Sequence, residues 1–356
     1  MLHCEVVFGR FESKKRNQRM FFSRSKSKLG IDIGTSSIKV AQLKKEQEAY
    51  SLETYGVVKV NYDVSGKADF DVITETAGVL KKLVAQSRTS TKKVVASLPN
   101  NIVFVSVIDM PKMGEKELKN AIQWEAQRYV PLPLEEVTLS WTALSEEEQE
   151  GKMKVLLTAV PSAVIENYLK MFKLAGLEPV ALEIEALALI RSLVGNRKDS
   201  ILIVDLGARN TSLNLVDKGF LRVSRNLGVG GDTITNGISR SLKVSSGRAE
   251  QFKKDLSIAG EIKELPQVIR EVLDTIKYET LQLVKIFESS GGRIQEVILA
   301  GAGAQLPGLI SFFDDTGLKC KLGEPLKFVS YDPRLKANLQ EVGLSLSVAL
   351  GLAMRE

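Results

Sequence analysis

The sequence predicts an α/β protein of two similar lobes facing each other across a nucleotide cleft. Leu29-Gly-Ile-Asp32-Ile-Gly34-Thr35-Ser36-Ser37-Ile38 and Ile201-Leu-Ile-Val-Asp205-Leu-Gly207-Ala-Arg-Asn-Thr211-Ser-Leu each run from an apolar strand into Asp-x-Gly, small polar residues and a second strand. The grammar after each copy also matches, with further strands and then a helix, which is the mark of an internal repeat. The chain has 356 residues, 44% hydrophobic and 26% charged, enough for two ordinary globular cores.

Leu29 to Val60 reads as three strands, the first turn sharpened by Gly34 and the second strand alternating over Ser37-Ile-Lys-Val-Ala-Gln-Leu. Residues 70 to 87 place Phe70, Ile73, Ala77, Leu80 and Val84 at helical spacing, ahead of the strand Lys93 to Leu98. From 101 to 179 the sequence has no counterpart in the second half. It reads as strand, helix (Glu115 to Val130), two strands around an acidic turn, and helix (Ser162 to Ala175), a small inserted β-α-β-β-α subdomain. A connecting helix is expected over 180–200, a second lobe over 201–340 and a terminal helix returning to the first lobe over 341–356. The first lobe begins at 29 and is interrupted after residue 100.

Charge is concentrated at the start. Residues 1 to 28 hold eight Lys or Arg against Glu5 and Glu12, and the remainder balances within a net charge of +6. This tail reads as disordered, with Met20 as an alternative start that would make residues 1–19 extraneous. No basic stripe continues into the folded part, which argues against nucleic acid. The sole histidine is His3, and Cys4 and Cys320 lack metal-ligand spacing. Histidine triads, histidine metal centres and a disulfide framework are thereby disfavoured, and a reducing compartment fits. The longest apolar stretch, Leu344 to Met354, is too short to cross a bilayer.

Gly34 lets the backbone turn tightly after Asp32, so that the amides of Thr35, Ser36 and Ser37 can face one phosphate while Asp32 faces hydrated magnesium. The second turn acts from the other side. Glu296 to Ala300 reads as a strand ending in Gly301-Ala-Gly303, where a flat base can approach the backbone. Glu250 and Lys253 lie three apart on one helix face, suited to ribose hydroxyls. On the inserted helix, Leu118, Ala121, Ile122, Ala126 and Tyr129 form the core stripe. Trp124 falls off it beside Glu125, which suggests a partner-binding groove.

The order Asp-x-Gly, Asp-x-Gly, Gly-Gly-Asp, Glu-x-x-Lys, Gly-x-Gly over residues 29 to 354 resembles the actin, heat-shock chaperone and sugar-kinase ATPase superfamily, with its duplicated ribonuclease H-like fold. The inserted Ile122-Gln-Trp124-Glu125-Ala-Gln-Arg-Tyr129-Val-Pro131 is similar to the PilM family of type IV pilus assembly proteins. The resemblance implies ATP and magnesium as ligands. Phosphate contacts would fall on Gly34, Thr35, Ser36, Ser37, Gly207 and Thr211, with Gly230 and Gly231 in the same nucleotide-binding set. Magnesium would fall on Asp32 and Asp205, ribose on Glu250 and Lys253, and adenine on Gly301 and Gly303. Asp205 and Glu183 would be the catalytic carboxylates, Glu183 ordering the attacking water. The second loop, Asp205-Leu-Gly207-Ala208-Arg209-Asn210-Thr211, has less glycine than hydrolytic relatives show, so turnover should be slow or absent.

The implied partner is the cytoplasmic amino-terminal peptide of a PilN-like membrane protein, gripped at Trp124 and Glu125. The implied location is the cytoplasmic face of the inner membrane, with membrane contact mainly through the partner. Contacts with other pilus platform and motor components, and self-association, are further expectations. A division protein resembling FtsA and a small-molecule kinase are the alternatives.

Overall fold

The computed structural model describes residues 6–10, 27–60, 69–149, 151–255 and 267–356. In the first lobe β1 (Val6–Arg10), β2 (Ser27–Ile33), β3 (Ser37–Glu46) and β4 (Ala49–Lys59) pair antiparallel in the order β1-β4-β3-β2. Helix α1 (Phe70–Gln86) then leads to β5 (Lys93–Leu98), parallel to β2. Leu29, Ile31 and Ile33 of β2 are all buried, as a strand with neighbours on both edges requires. Helix α1 buries Ile73, Ala77 and Leu80 as the spacing predicts, whereas Phe70 at its first turn is exposed and Leu83 is more deeply buried than Val84. The basic tail, expected to be disordered, contributes β1; Met20 lies outside the described residues.

The insertion consists of β6 (Phe104–Pro111), α2 (Glu115–Tyr129), β7 (Val137–Gln149) and β8 (Lys152–Pro161). Its sheet has the order β6-β8-β7, and Leu118, Ile122 and Ala126 of α2 pack with Ile108, Val155 and Leu157 of the sheet. Helix α3 (Ser162–Ala175), assigned to the insertion from sequence, instead packs on α1 and buries Tyr168, Met171 and Phe172 in the first-lobe core. The inserted unit is therefore β-α-β-β. Strand β9 (Glu178–Ile184) then joins β5 in parallel, so the expected connecting helix begins only at α4 (Glu185–Leu189) and continues as a π-helical turn, Ile190–Val194.

The second lobe repeats the plan. β10 (Ile201–Leu206), β11 (Thr211–Asp217) and β12 (Phe220–Leu227) pair antiparallel, the β11–β12 turn accommodating positive φ at Lys218 and Gly219. After α5 (Gly231–Leu242), α6 (Ser246–Asp255) and α7 (Gln267–Ser289), β13 (Glu296–Ala300) lies parallel to β10. α8 (Leu309–Phe312) and β14 (Cys320–Leu322) complete the lobe. Strand β12 also touches β6, which ties the insertion to the second lobe.

The chain returns to the first lobe earlier than residue 341. β15 (Val329–Ser330) already pairs with β4, followed by α9 (Lys336–Val342) and α10 (Ser347–Ala353). Helix α10 is buried throughout and lies against both β2 and α4. It links the strand that carries the first Asp-x-Gly turn to the helix that crosses between lobes.

Candidate functional site

The two Asp-x-Gly turns close in the same way. Gly34 N–H donates to the Ser37 carbonyl at 3.0 Å, and Gly207 N–H donates to the Asn210 carbonyl at 2.9 Å. Their hairpin registers also agree, placing Asp32 opposite Lys39 and Asp205 opposite Ser212. Duplication therefore extends to the turn hydrogen bond and strand pairing, and the lobes differ where the first has a lysine and the second a serine.

Asp32 is buried at the end of β2. Lys39 Nζ lies 3.0 Å from its Oδ2, and Ser97 Oγ of β5 donates to Oδ1 at 3.0 Å. Burial alone would lower the Lys39 pKa, but the charges of Asp32, Asp205 and Glu185 more than offset this and hold it above the usual lysine value. Burial, reinforced by the charge of Asp32, pushes Asp205 up to about 6. Burial also raises Glu185 well above the ordinary carboxylate range, with Asp32 and Asp205 adding to the effect and Lys39 and the Asn100 amide opposing it. Asp32 alone contacts the Lys39 ammonium, while Asp205 and Glu185 stand near enough for their charges to act on it.

Glu183, expected to order the attacking water, is engaged elsewhere. That side chain is ion-paired with Arg191, and Arg355 Nε lies 3.4 Å from its other oxygen. Arg191 in turn donates to the Gly351 carbonyl at 2.7 Å, so Glu183 joins the crossing segment to the chain's carboxy-terminal residues. Glu185, two residues on, is the carboxylate electrostatically linked to both aspartates. Sequence reasoning also missed Lys39, although a hairpin closed by the first turn pairs position i with i+7.

In the second lobe the predicted residues form one connected group. Gly231 N–H donates to the Gly207 carbonyl at 3.0 Å, and Asp232 N–H to the Ala208 carbonyl at 2.7 Å. A Cβ on Gly230 would come within 2.6 Å of the Ala208 carbonyl oxygen. Lys253 Nζ donates to the Gly231 carbonyl at 3.2 Å and to Thr235 Oγ1 at 2.8 Å, and lies 2.7 Å from Glu250. Burial works against ionised Glu250, yet the hydrogen bonds from Lys253 and Thr235 hold its pKa below the usual value. Gly301, at φ +79°, passes so close to the second turn that a Cβ would lie 2.5 Å from Asp205 Oδ1; Gly303 packs on Leu206. Thr211, expected at a phosphate, has its hydroxyl engaged within the lobe. It is fully buried, and its hydroxyl donates to the Val229 carbonyl at 2.8 Å, bracing the loop from behind.

A two-carboxylate magnesium site fits this donor set. Among the described residues no three His, Cys, Asp or Glu side chains are arranged to hold an ion. Magnesium bound by one or two carboxylates, water and substrate phosphates does not require such a cluster. Asp32 and Asp205 are hard oxygen donors whose mutual repulsion a cation would relieve. Proton competition supplies a test: because the folded pKa of Asp205 is near 6, above 3.8, the cation-free protein should lose stability as pH rises from about 4 to about 6. Urea denaturation across that range with a chelator should show this loss, and saturating magnesium nucleotide should reduce it; a flat, magnesium-independent profile would count against Asp205 as a cation ligand.

Trp124 and Glu125 lie on the insertion, outside the aspartate cluster. Trp124 is 73% exposed. It lines a groove of about 470 Å³ with Gln127, Leu134, Val137 and Leu139, between α2 and β7. Strand β7 is at the open end of the β6-β8-β7 sheet among the described residues. Glu125 forms an exposed ion pair with Arg128 at 3.2 Å, and Tyr129, expected in the core stripe, is 42% exposed at the end of α2.

Comparison with known proteins places this architecture. A family model described as "Type IV pilus assembly protein PilM" matches residues 30–356. A solved PilM–PilN type IV pilus biogenesis complex has a chain 29% identical to this one, with TM-score 0.81, over 92% of this chain and 97% of that one. Cell division protein FtsA of Streptococcus pneumoniae is 24% identical over 351 residues, 83% of this chain and 75% of its own length. The ethanolamine utilization protein EutJ of Carboxydothermus hydrogenoformans, 17% identical with TM-score 0.58 over 92% of this chain and 89% of its own, shares the fold.

Proposed function

The chain belongs to the PilM family of type IV pilus assembly proteins, and from that premise we propose that it binds ATP with magnesium and holds the cytoplasmic amino-terminal peptide of a PilN-like membrane protein. The observation that carries the nucleotide part is the pair of matched Asp-x-Gly turns, whose aspartates lie near enough for the charge of each to act on the other's surroundings. Asp32 and Asp205 would hold magnesium, the amides following Gly34 and Gly207 would receive phosphates, and Lys39 would supply a fixed positive charge. Glu250 and Lys253 would face ribose, and the Gly301 and Gly303 backbone would face adenine. Bound magnesium would neutralise phosphate charge and favour one nucleotide orientation.

The partner would dock beside α2, where Trp124 offers an aromatic anchor and the outer edge of β7 offers backbone hydrogen-bonding groups for an added strand. No helix of the described residues is long and apolar enough to cross a membrane. Placement on the cytoplasmic face of the inner membrane would come mainly through the partner. Thr211's bracing role and the glycine-poor second loop support slow turnover or none.

Trp124→Ala is expected to weaken the peptide about 10- to 100-fold, the loss typical of an interface hot spot. Its melting temperature should change little, because the side chain is mostly exposed. Calorimetric titration with the peptide checks this, and unchanged affinity in the folded variant would move the docking site away from α2.

A further inference from the structure

Asn100 lies two residues past β5, on the loop beyond Pro99 at the end of the strand adjacent to β2. Its backbone amide hydrogen-bonds Glu185, the carboxylate on which the charges of Asp32 and Asp205 act. Its side chain is shielded from solvent at both Nδ2 and Oδ1, yet among the described residues neither atom has a hydrogen-bond partner. An amide carries two donors and an acceptor, and leaving them unpaired away from water has a free-energy cost. Two polar groups at the same end of the sheet are already engaged: Ser97 donates to Asp32, and Lys39 pairs with the same carboxylate. With no partner among the described residues, the amide is free to engage a group from outside the chain that accepts from Nδ2 and one that donates to Oδ1.

We propose that Asn100 reads the terminal phosphate of a nucleoside triphosphate, Nδ2 donating to a phosphate oxygen and Oδ1 accepting from a water shared with Glu185. Phosphate oxygens accept only, so the acceptor half of the amide requires the water, and Glu185 is the neighbouring group that can take that water's second proton in a hydrogen bond. The inference rests on the nucleotide reading of the cleft and adds a means of telling a triphosphate from a diphosphate. A diphosphate would lack the group that Nδ2 contacts.

The test is calorimetric titration of the full chain, Asn100→Ala and Asn101→Ala with magnesium ADP and with a magnesium-bound, non-hydrolysable ATP analogue, circular dichroism verifying each fold. Asn101 is the exposed neighbour and serves as the control. Asn100→Ala should lose about tenfold or more in affinity for the analogue, the worth of a hydrogen bond to a charged group, with ADP affinity unchanged within about twofold. Asn101→Ala should change neither. Equal loss for both nucleotides, or no loss, overturns the assignment to Asn100 while leaving the cleft a nucleotide site. Failure of the unsubstituted chain to bind either nucleotide overturns the nucleotide reading and this inference together. If Asn100→Ala does not fold, Asn100→Ser replaces it and must show the same selective loss.

Discussion

Lys39→Met is expected to cost the cation-free protein about 3–5 kcal/mol of stability, the usual penalty for removing one partner of a buried ion pair. The size follows from the company Lys39 keeps. Its side chain is 14% exposed and that of Asp32 5%, so water can do little to replace the lost charge. The variant would leave Asp32, Asp205 and Glu185 together with no cation between them, and their mutual repulsion would favour opening of the cleft or protonation. Magnesium should recover part of the loss if the aspartates bind it, because an ion can supply the charge that the variant lacks. Guanidinium denaturation with a chelator and with saturating magnesium measures both effects. A loss below about 1 kcal/mol would mean that the carboxylates are already neutral or solvated, against the geometry described.

Gly351→Ala should also be strongly destabilising, by about 3 kcal/mol or more, as overpacking against rigid backbone tends to be. A Cβ there would stand 1.9 Å from the Ala188 carbonyl oxygen and 2.5 Å from its carbonyl carbon, atoms of the crossing helix that have no side-chain freedom with which to yield. On the opposite side, a Cβ on Gly30 would meet the Ala349 carbonyl oxygen at 2.0 Å. Helix α10 is therefore clamped between β2 and α4 by contacts that only glycine permits. Because β2 leads to Asp32 and α4 begins at Glu185, separating these elements should also weaken nucleotide binding. Gly78→Ala, on α1 where a Cβ meets nothing within 4 Å, is the matched control and should gain about 0.5–1 kcal/mol from helix propensity. Similar melting temperatures for Gly351→Ala and the unsubstituted chain would show that the helices separate without cost.

Much of this architecture can be read from the residues, because duplication is a property of sequence. Two Asp-x-Gly turns in matched strand contexts imply two lobes, and a segment without a counterpart implies an insertion. What could not be read lies at boundaries and across the chain. Whether Glu183 or Glu185 enters the cleft depends on where β9 ends and α4 begins, and a two-residue change in that boundary exchanges their surroundings. Helix α3 has an amphipathic pattern that fits either neighbouring core, and only its contact with α1 decides between them. The buried hydroxyl of Thr211 looks, in sequence, like any threonine of a phosphate loop. Lys39 was within reach, since hairpin register pairs it with Asp32. Asn100 was not, since an unpartnered amide is visible only once its surroundings are built.

The most direct measurement is calorimetric titration of the full chain with the amino-terminal cytoplasmic peptide of a PilN-like partner, with and without magnesium ATP. The account predicts saturable binding of one peptide per chain, weakened by Trp124→Ala. Tight nucleotide binding with no peptide binding, in a folded protein, would contradict it.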